Sequence, residues 1–158
     1  MQNSSGDGGK TRNFRGEKIA KNSAEIEFLG ALDELFAVLQ ICAPRKLNFK
    51  NEKSLRTILE IFPQILESVS RGADFPANEI FEKMENEIAE IEKKFAVKNF
   101  QTFTNSSNAA ILNFARTVAR RAERAFFATE IVAPNLGKFL NRISKFLFFL
   151  AVRENLKS

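Results

Sequence analysis

The run Phe146–Ala151, reading FLFFLA, restricts the fold more than any other part of the chain. It lies in a longer segment, NLGKFLNRISKFLFFLAVREN, with a helical period, and it is apolar almost all round the helix. Such a span is too short to cross a membrane. It belongs either at the centre of a helical bundle or at an interface between subunits. Asn141 sits amid this apolar material, either as a surface amide between turns or as an amide that hydrogen-bonds a ligand.

Four more helical blocks precede it, and none shows convincing strand alternation. The first is expected from about Ser23 to Cys42, with Asn22 as N-cap and Glu25 three residues later approximating a capping box. Phe28, Leu32, Phe36 and Leu39 recur there at helical spacing. The second runs roughly from Asn51 to Arg71, with Pro63 marking a kink or a late start. The third covers about Pro76 to Phe95 and keeps Met84, Ile88 and Ile91 on one stripe. The fourth runs from near Ser107 to Ala128, and the fifth from Pro134, at a helix N1 position, to Asn155. Blocks of this kind pack as an all-α five-helix bundle with four-helix-bundle-like, ferritin-like up-down packing.

The fourth block, NAAILNFARTVARRAERAFF, carries the most chemical information. At about 100° per residue, Ile111, Ala115, Val118 and Ala122 face inward, while Arg116, Arg120, Glu123 and Arg124 gather opposite them. Arg121 lies on the flank. The plain interpretation is a solvated basic face with an ion pair between Arg120 and Glu123. Two features favour a ligand: Arg is used throughout, and its planar fork suits phosphates and carboxylates. Ala109, Ala119 and Ala122 also keep the helix thin, which suits close approach by another chain or a ligand.

Absences narrow the chemistry further. The chain has no His, Tyr or Trp, and its aromatic content is 17 Phe. Ser-His and Cys-His catalysis and His-containing zinc sites are excluded. An enzyme built from this composition must work by electrostatics, positioning or a borrowed cofactor. The single Cys42 has no disulfide partner, and the N-terminus is too polar for a secretory signal, so an intracellular, cytoplasmic location is expected. A net charge of +5 suits polyanionic partners.

Of the seven glycines, Gly6, Gly8, Gly9 and Gly16 fall within the first 16 residues. The stretch GDGGKT resembles a phosphate-gripping P-loop, but that pattern needs a glycine where Ser4 stands, and a β-strand feeding the loop. A P-loop is excluded on both counts.

Four blocks, the first made of two neighbouring motifs, together resemble the ATP:cob(I)alamin adenosyltransferases of the PduO type. SGDGGKT is similar to that family's T-G-D-x-G-x-T loop, and FRGEKIAK to its F-G-G-x-R-V-x-K. EFLGALDELFAVL resembles E-A-x-G-x-V-D-E-L-N. ARTVARRAER resembles A-R-T-x-x-R-R-A-E-R, and FLNRISKFLFFLA resembles Y-L-N-R-L-S-D-x-L-F-x-L-A. The blocks keep the family order over most of the chain, with the second and third helices matching in outline only.

The resemblance implies a homotrimer with active sites between neighbouring subunits. It implies a flexible nucleotide-binding loop over residues 1–22 and one helical domain over 23–158. ATP would be held by Ser5, Gly6, Asp7, Gly9, Lys10, Thr11, Lys18 and Lys21 of one subunit, against Arg120, Arg124 and Asn141 of the next. Glu123 would orient the arginines, and Arg116 and Asp33 would pair across the interface. Phe100 would lie beside the lower face of the corrin ring. Reduced cobalamin would attack the 5′ carbon of ATP, and Mg2+ would help neutralise the triphosphate. A flavin-dependent reductase and an adenosylcobalamin-dependent enzyme are the implied partners.

The chain departs from the family pattern at several points. Phe103-Thr104-Asn105 replaces P-G-G, Lys145 replaces an acid, Ser4 a basic residue, and Val69 falls near a usual glycine. Two other functions fit the residues: a corrinoid- and ATP-binding delivery protein, and a basic helical nucleic-acid binder. Asp33 and Glu123 argue against the last.

Overall fold

The computed structural model describes residues 6–13, 15–43, 45–47, 49–75, 78–95 and 101–156. It contains five helices: α1 (Ala24–Cys42), α2 (Phe49–Ser70), α3 (Asn78–Phe95), α4 (Ser107–Phe127) and α5 (Pro134–Asn155). Ahead of them lie two short strands, β1 (Lys10–Arg12) and β2 (Lys18–Ala20). The architecture is the expected all-α bundle, with an N-terminal hairpin added.

Helix α5 is central. It packs along α4 for most of its length and also meets α3 and α2, while α1 covers the other side of α4. Phe146, Leu147, Phe149, Leu150 and Ala151 are buried, so FLFFLA is core of this chain. No described helix is long and apolar enough to cross a membrane. Phe28, Leu32 and Leu39 on α1 are fully buried, and Phe36 stacks on Phe62 of α2 with centroids 4.8 Å apart. Met84, Ile88 and Ile91 bury the expected stripe of α3.

Several helix boundaries are set by local chemistry. The N-cap of α1 is Ser23, one residue past the expected Asn22, and its side chain makes no capping bond. Glu25 does not close a capping box, because its carboxylate is drawn to Asn13 and Arg15 of the hairpin. Pro63 neither delays nor ends α2. Its ring faces solvent, so the lost backbone bond lies on the wet side of the helix.

After Ser70 the chain leaves α2 through a Schellman arrangement. Gly72 takes φ of 65°, Gly72 N–H bonds Val69 O at 3.0 Å, and Ala73 N–H bonds Ser68 O at 2.9 Å. The turn delivers Asp74 to the start of α5, where its carboxylate accepts the N–H groups of Asn135 (2.8 Å) and Leu136 (3.1 Å). Ala133, the N-cap of α5, has no side-chain acceptor, so a residue far away in sequence caps the central helix. Ser106 caps α4 conventionally, accepting from Ala109 N–H at 3.3 Å.

Candidate nucleotide and corrinoid site

The N-terminal segment contains a two-stranded antiparallel hairpin with Lys10 opposite Ala20, Thr11 opposite Ile19 and Arg12 opposite Lys18. Three-residue strands are too short to register as alternation in sequence. Gly9 and Gly16 both have positive φ, at 70° and 78°. Gly16 belongs to the turn, which Asn13 organises. The Asn13 Oδ1 accepts the N–H groups of Arg15 (3.0 Å) and Glu17 (2.9 Å), and its Nδ2 donates to Glu17 (2.8 Å) and Glu25 (3.4 Å). Hydrogen bonds from Asn13 and then Arg15 hold the Glu17 carboxylate below its ordinary range. Through Asn13 and Arg15 the hairpin is pinned to the first turn of α1.

The opposite side of the hairpin is cationic. Gly6, Lys10, Thr11, Arg12 and Lys18 line a cavity of about 330 Å³. The Lys21 ammonium lies over Gly6, where an added Cβ would stand 3.1 Å from it. Of the residues expected to grip a nucleotide, Gly6, Lys10, Thr11, Lys18 and Lys21 therefore gather here, and Asp7 and Gly9 are exposed beside them. Ser4, Ser5 and Phe100 lie outside the described residues.

On α4 the arginines are not equivalent. Arg120 is about half exposed and donates from Nη1 to Glu123 Oε2 at 2.9 Å; the Glu123 side chain is only 13% exposed. Arg124 donates to the Arg120 carbonyl at 3.2 Å. Arg116 is half-buried, its Nε bonded to Asn113 Oδ1 at 2.8 Å. Arg121 is paired with Glu34 and Glu27 of α1, which removes it from the available set. Ala109, Ala119 and Ala122 are fully buried, so the small residues serve packing of α4 between α1 and α5 and do not admit an outside chain or ligand.

Asp33 is exposed on α1 and forms no ion pair among the described residues, and Asn141 is exposed on α5. The Asn141 backbone carbonyl accepts from Ser144 Oγ at 3.0 Å, and its exposed side chain is compatible with both interpretations. Lys145 finds an acid on another helix, Glu92 of α3, at 3.3 Å, and Arg142 of the same motif pairs with Glu85.

Sequence reasoning missed a buried polar hub at the C-terminal end of α5. Arg153, Glu154 and Asn155 are 3%, 8% and 5% exposed. Arg153 donates to Asn51 of α2 and to Glu87 of α3, each at 2.5 Å. The Asn51 amide donates to Glu154 at 2.7 Å, and Glu154 also accepts from Asn108 of α4 at 3.5 Å. Three consecutive polar residues closing an apolar helix were the available signal, but their partners lie on three other elements.

Among the described residues no group of three or more His, Cys, Asp or Glu side chains could hold a metal ion. A Mg2+ ion prefers phosphate and water oxygens to an all-protein cage. The residues present fit an ion carried by a triphosphate.

The fold and these surfaces define a class: a five-helix bundle with two separate cationic features, a glycine hairpin and an arginine helix. The chain matches the family model described as cobalamin adenosyltransferase over residues 1–154, and it belongs to that family. It is 35% identical over 162 residues to the corrinoid adenosyltransferase PduO of Citrobacter freundii, covering 95% of this chain and 48% of the relative. It is 33% identical to PduO of Salmonella typhimurium, with 95% and 48% coverage. The chain thus spans about half the length of these relatives. Among solved structures, a variant PduO-type ATP:corrinoid adenosyltransferase from Lactobacillus reuteri, complexed with cobalamin and ATP, superposes with a TM-score of 0.85. That alignment covers 99% of this chain and 91% of the other at 22% identity, and it shows a shared fold.

Proposed function

We propose that this protein transfers the 5′-deoxyadenosyl group of ATP to a reduced corrinoid, as a homotrimer with sites between subunits. The observation carrying this reading is the separation of two cationic surfaces within one protomer. The hairpin with Lys10, Lys18 and Lys21 docks on the start of α1, and Arg116, Arg120 and Arg124 lie along α4. Among the described residues the hairpin does not pack extensively against α4. A triphosphate has the charge to draw the hairpin of one subunit to the arginines of the next. Asp33, exposed and forming no ion pair among the described residues, is placed to meet Arg116 across that seam. Membership of the family and the shared fold support the same reading.

In this reaction the Co(I) of the substrate is the nucleophile. The Co–C5′ bond forms as the C5′–O bond breaks, and the electron pair leaves with triphosphate. No histidine is needed, which matches the composition. The protein's own work is to hold C5′ in line with cobalt and to neutralise the leaving group. Arg120, Arg124 and Lys10 supply fixed positive charge, the Gly6–Lys10 backbone supplies N–H groups, and Glu123 holds the Arg120 fork in one orientation. Mg2+ bound to the triphosphate supplies further neutralisation. Phe100, which lies outside the described residues, would supply an apolar wall toward the corrin, as the resemblance implies.

The test is cobalamin reduced to Co(I), mixed with protein and Mg-ATP, and followed by absorbance, with sedimentation velocity reporting assembly. Adenosylcobalamin should form, and the protein should sediment as a trimer. No product at any protein concentration would end the proposal. Phe100→Ala should slow the reaction from Co(II) far more than from pre-reduced Co(I); equal losses would remove its lower-face role. A second reading, a delivery protein that binds both ligands without fast turnover, is favoured by the loss of P-G-G at Phe103-Thr104-Asn105. It predicts calorimetric binding of both ligands with negligible catalysis.

A further inference from the structure

Residues Gln101–Asn105 connect directly to Ser106, the N-cap of α4, and they contain neither proline nor glycine. They adopt neither helix nor strand. A segment outside helix and strand fixes little of its own backbone, so contacts made to it from other elements contribute to its order. One outside constraint is a side chain of α5. The Asn155 Nδ2 donates to the Thr102 carbonyl at 3.2 Å, and the Asn155 Oδ1 accepts the Asn105 N–H at 3.3 Å. Both ends of one buried amide thus bracket the segment. Between them Phe103 is half-buried, its ring edge-on to Phe148 of α5 with centroids 6.0 Å apart.

Asn155 itself has little freedom. It is 5% exposed and lies in the last turn of α5, next to Arg153 and Glu154, which are tied to α2, α3 and α4. The amide is held by the hub and in turn holds the segment. Asparagine suits the task because its amide carries a donor and an acceptor on separate atoms of one short side chain. Alanine would supply neither, and aspartate would face the Thr102 carbonyl with a second acceptor.

We propose that Asn155 is a positioning residue for corrinoid binding: it fixes the backbone of the segment following Phe100, and with it the Phe103 ring. This rests on the transferase reading given above. It assigns to the end of α5 a role in substrate affinity that the arginines of α4 do not share.

The test compares full-length wild type with Asn155→Ala and Asn155→Asp in two independent measurements. Hydrogen exchange without ligands reads the brace. In Asn155→Ala the Asn105 amide should exchange on the order of tenfold faster, the worth of one hydrogen bond, while amides in the middle of α5 keep their protection. Unchanged exchange at Asn105 overturns the brace, whatever the protein's activity. Steady-state kinetics with cob(I)alamin and ATP read the function. Both variants should raise KM for the corrinoid about tenfold and leave KM for ATP within about twofold. Faster exchange with an unmoved corrinoid KM, or equal rises in both KM values, overturns the positioning role. A wild type without any turnover would instead refute the transferase reading, and the exchange result would still judge the brace.

Discussion

Replacing Arg120 with alanine separates ligand binding from folding, because the two contributions differ greatly in size. Among the described residues the Arg120 guanidinium is about half exposed and pairs with Glu123 at 2.9 Å. A solvent-screened pair of this kind contributes about 0–1 kcal/mol, and alanine's higher helix propensity offsets part of its loss. Glu123 is left 13% exposed without that partner, so the net cost to folding should stay near ~1 kcal/mol. For a chain of this length that lowers Tm by roughly 2–4 °C. Toward a triphosphate the same side chain offers a planar fork and two charge-assisted hydrogen bonds, each about 1.5–3 kcal/mol. Losing both costs about 3–6 kcal/mol, or roughly two to four orders of magnitude in ATP use. Adenosylcobalamin formation from pre-reduced cobalamin measures that loss. Differential scanning fluorimetry and sedimentation velocity measure the fold and the assembly. Arg120→Lys should fall between, since it keeps the charge and loses the fork. Wild-type turnover in Arg120→Ala, or a fall in Tm of more than about 10 °C accompanying the lost activity, would refute the assignment.

The hub at the end of α5 predicts the opposite balance. Arg153→Ala takes the donor from the Oδ1 of fully buried Asn51 and removes the cation beside Glu87, which still accepts from Ser54. It should therefore cost about 3–5 kcal/mol of stability, a drop in Tm of about 6–20 °C, measurable by thermal melt; a shift under about 2 °C would show that the network contributes little. Burial pushes the Cys42 thiol up from an ordinary value of 9.0 to about 11. Folded protein should therefore resist an aromatic disulfide reagent at pH 8 and react only once denatured. Because the folded pKa is the raised one, Cys42's contribution to stability is complete below pH 9.0 and is lost as pH rises toward about 11. Stoichiometric labelling of the native protein would contradict the burial.

Much of this molecule was legible in the chain. Helices of 18 to 22 residues repeat their apolar pattern often enough for the period to be unambiguous. That is why α5 begins at Pro134 and ends at Asn155 as expected, whereas FLFFLA was readable only as bundle centre or subunit interface until packing placed it in the core. The arginine helix was visible for the same reason, together with its internal Arg120–Glu123 pair, since partners three residues apart are fixed by helix geometry alone. The 17 Phe and the missing histidines bounded the chemistry before any fold was considered.

Contacts between elements were not visible in this way. Whether Arg121 is available depends on Glu27 and Glu34 of another helix, and whether the alanines of α4 face a ligand or the core depends on where α1 and α5 lie. Glu25 has the spacing of a capping box, yet it bonds Asn13 and Arg15 because a hairpin of two three-residue strands folds back onto α1. The hub joins Asn51 to Arg153, residues 102 apart in the chain. Local periodicity thus determined the helices, their buried faces and the charge carried along α4. Only tertiary packing decided which charges are already paired, which small residues are covered, and which amide holds the segment before α4, because each of these depends on groups brought together from distant parts of the chain.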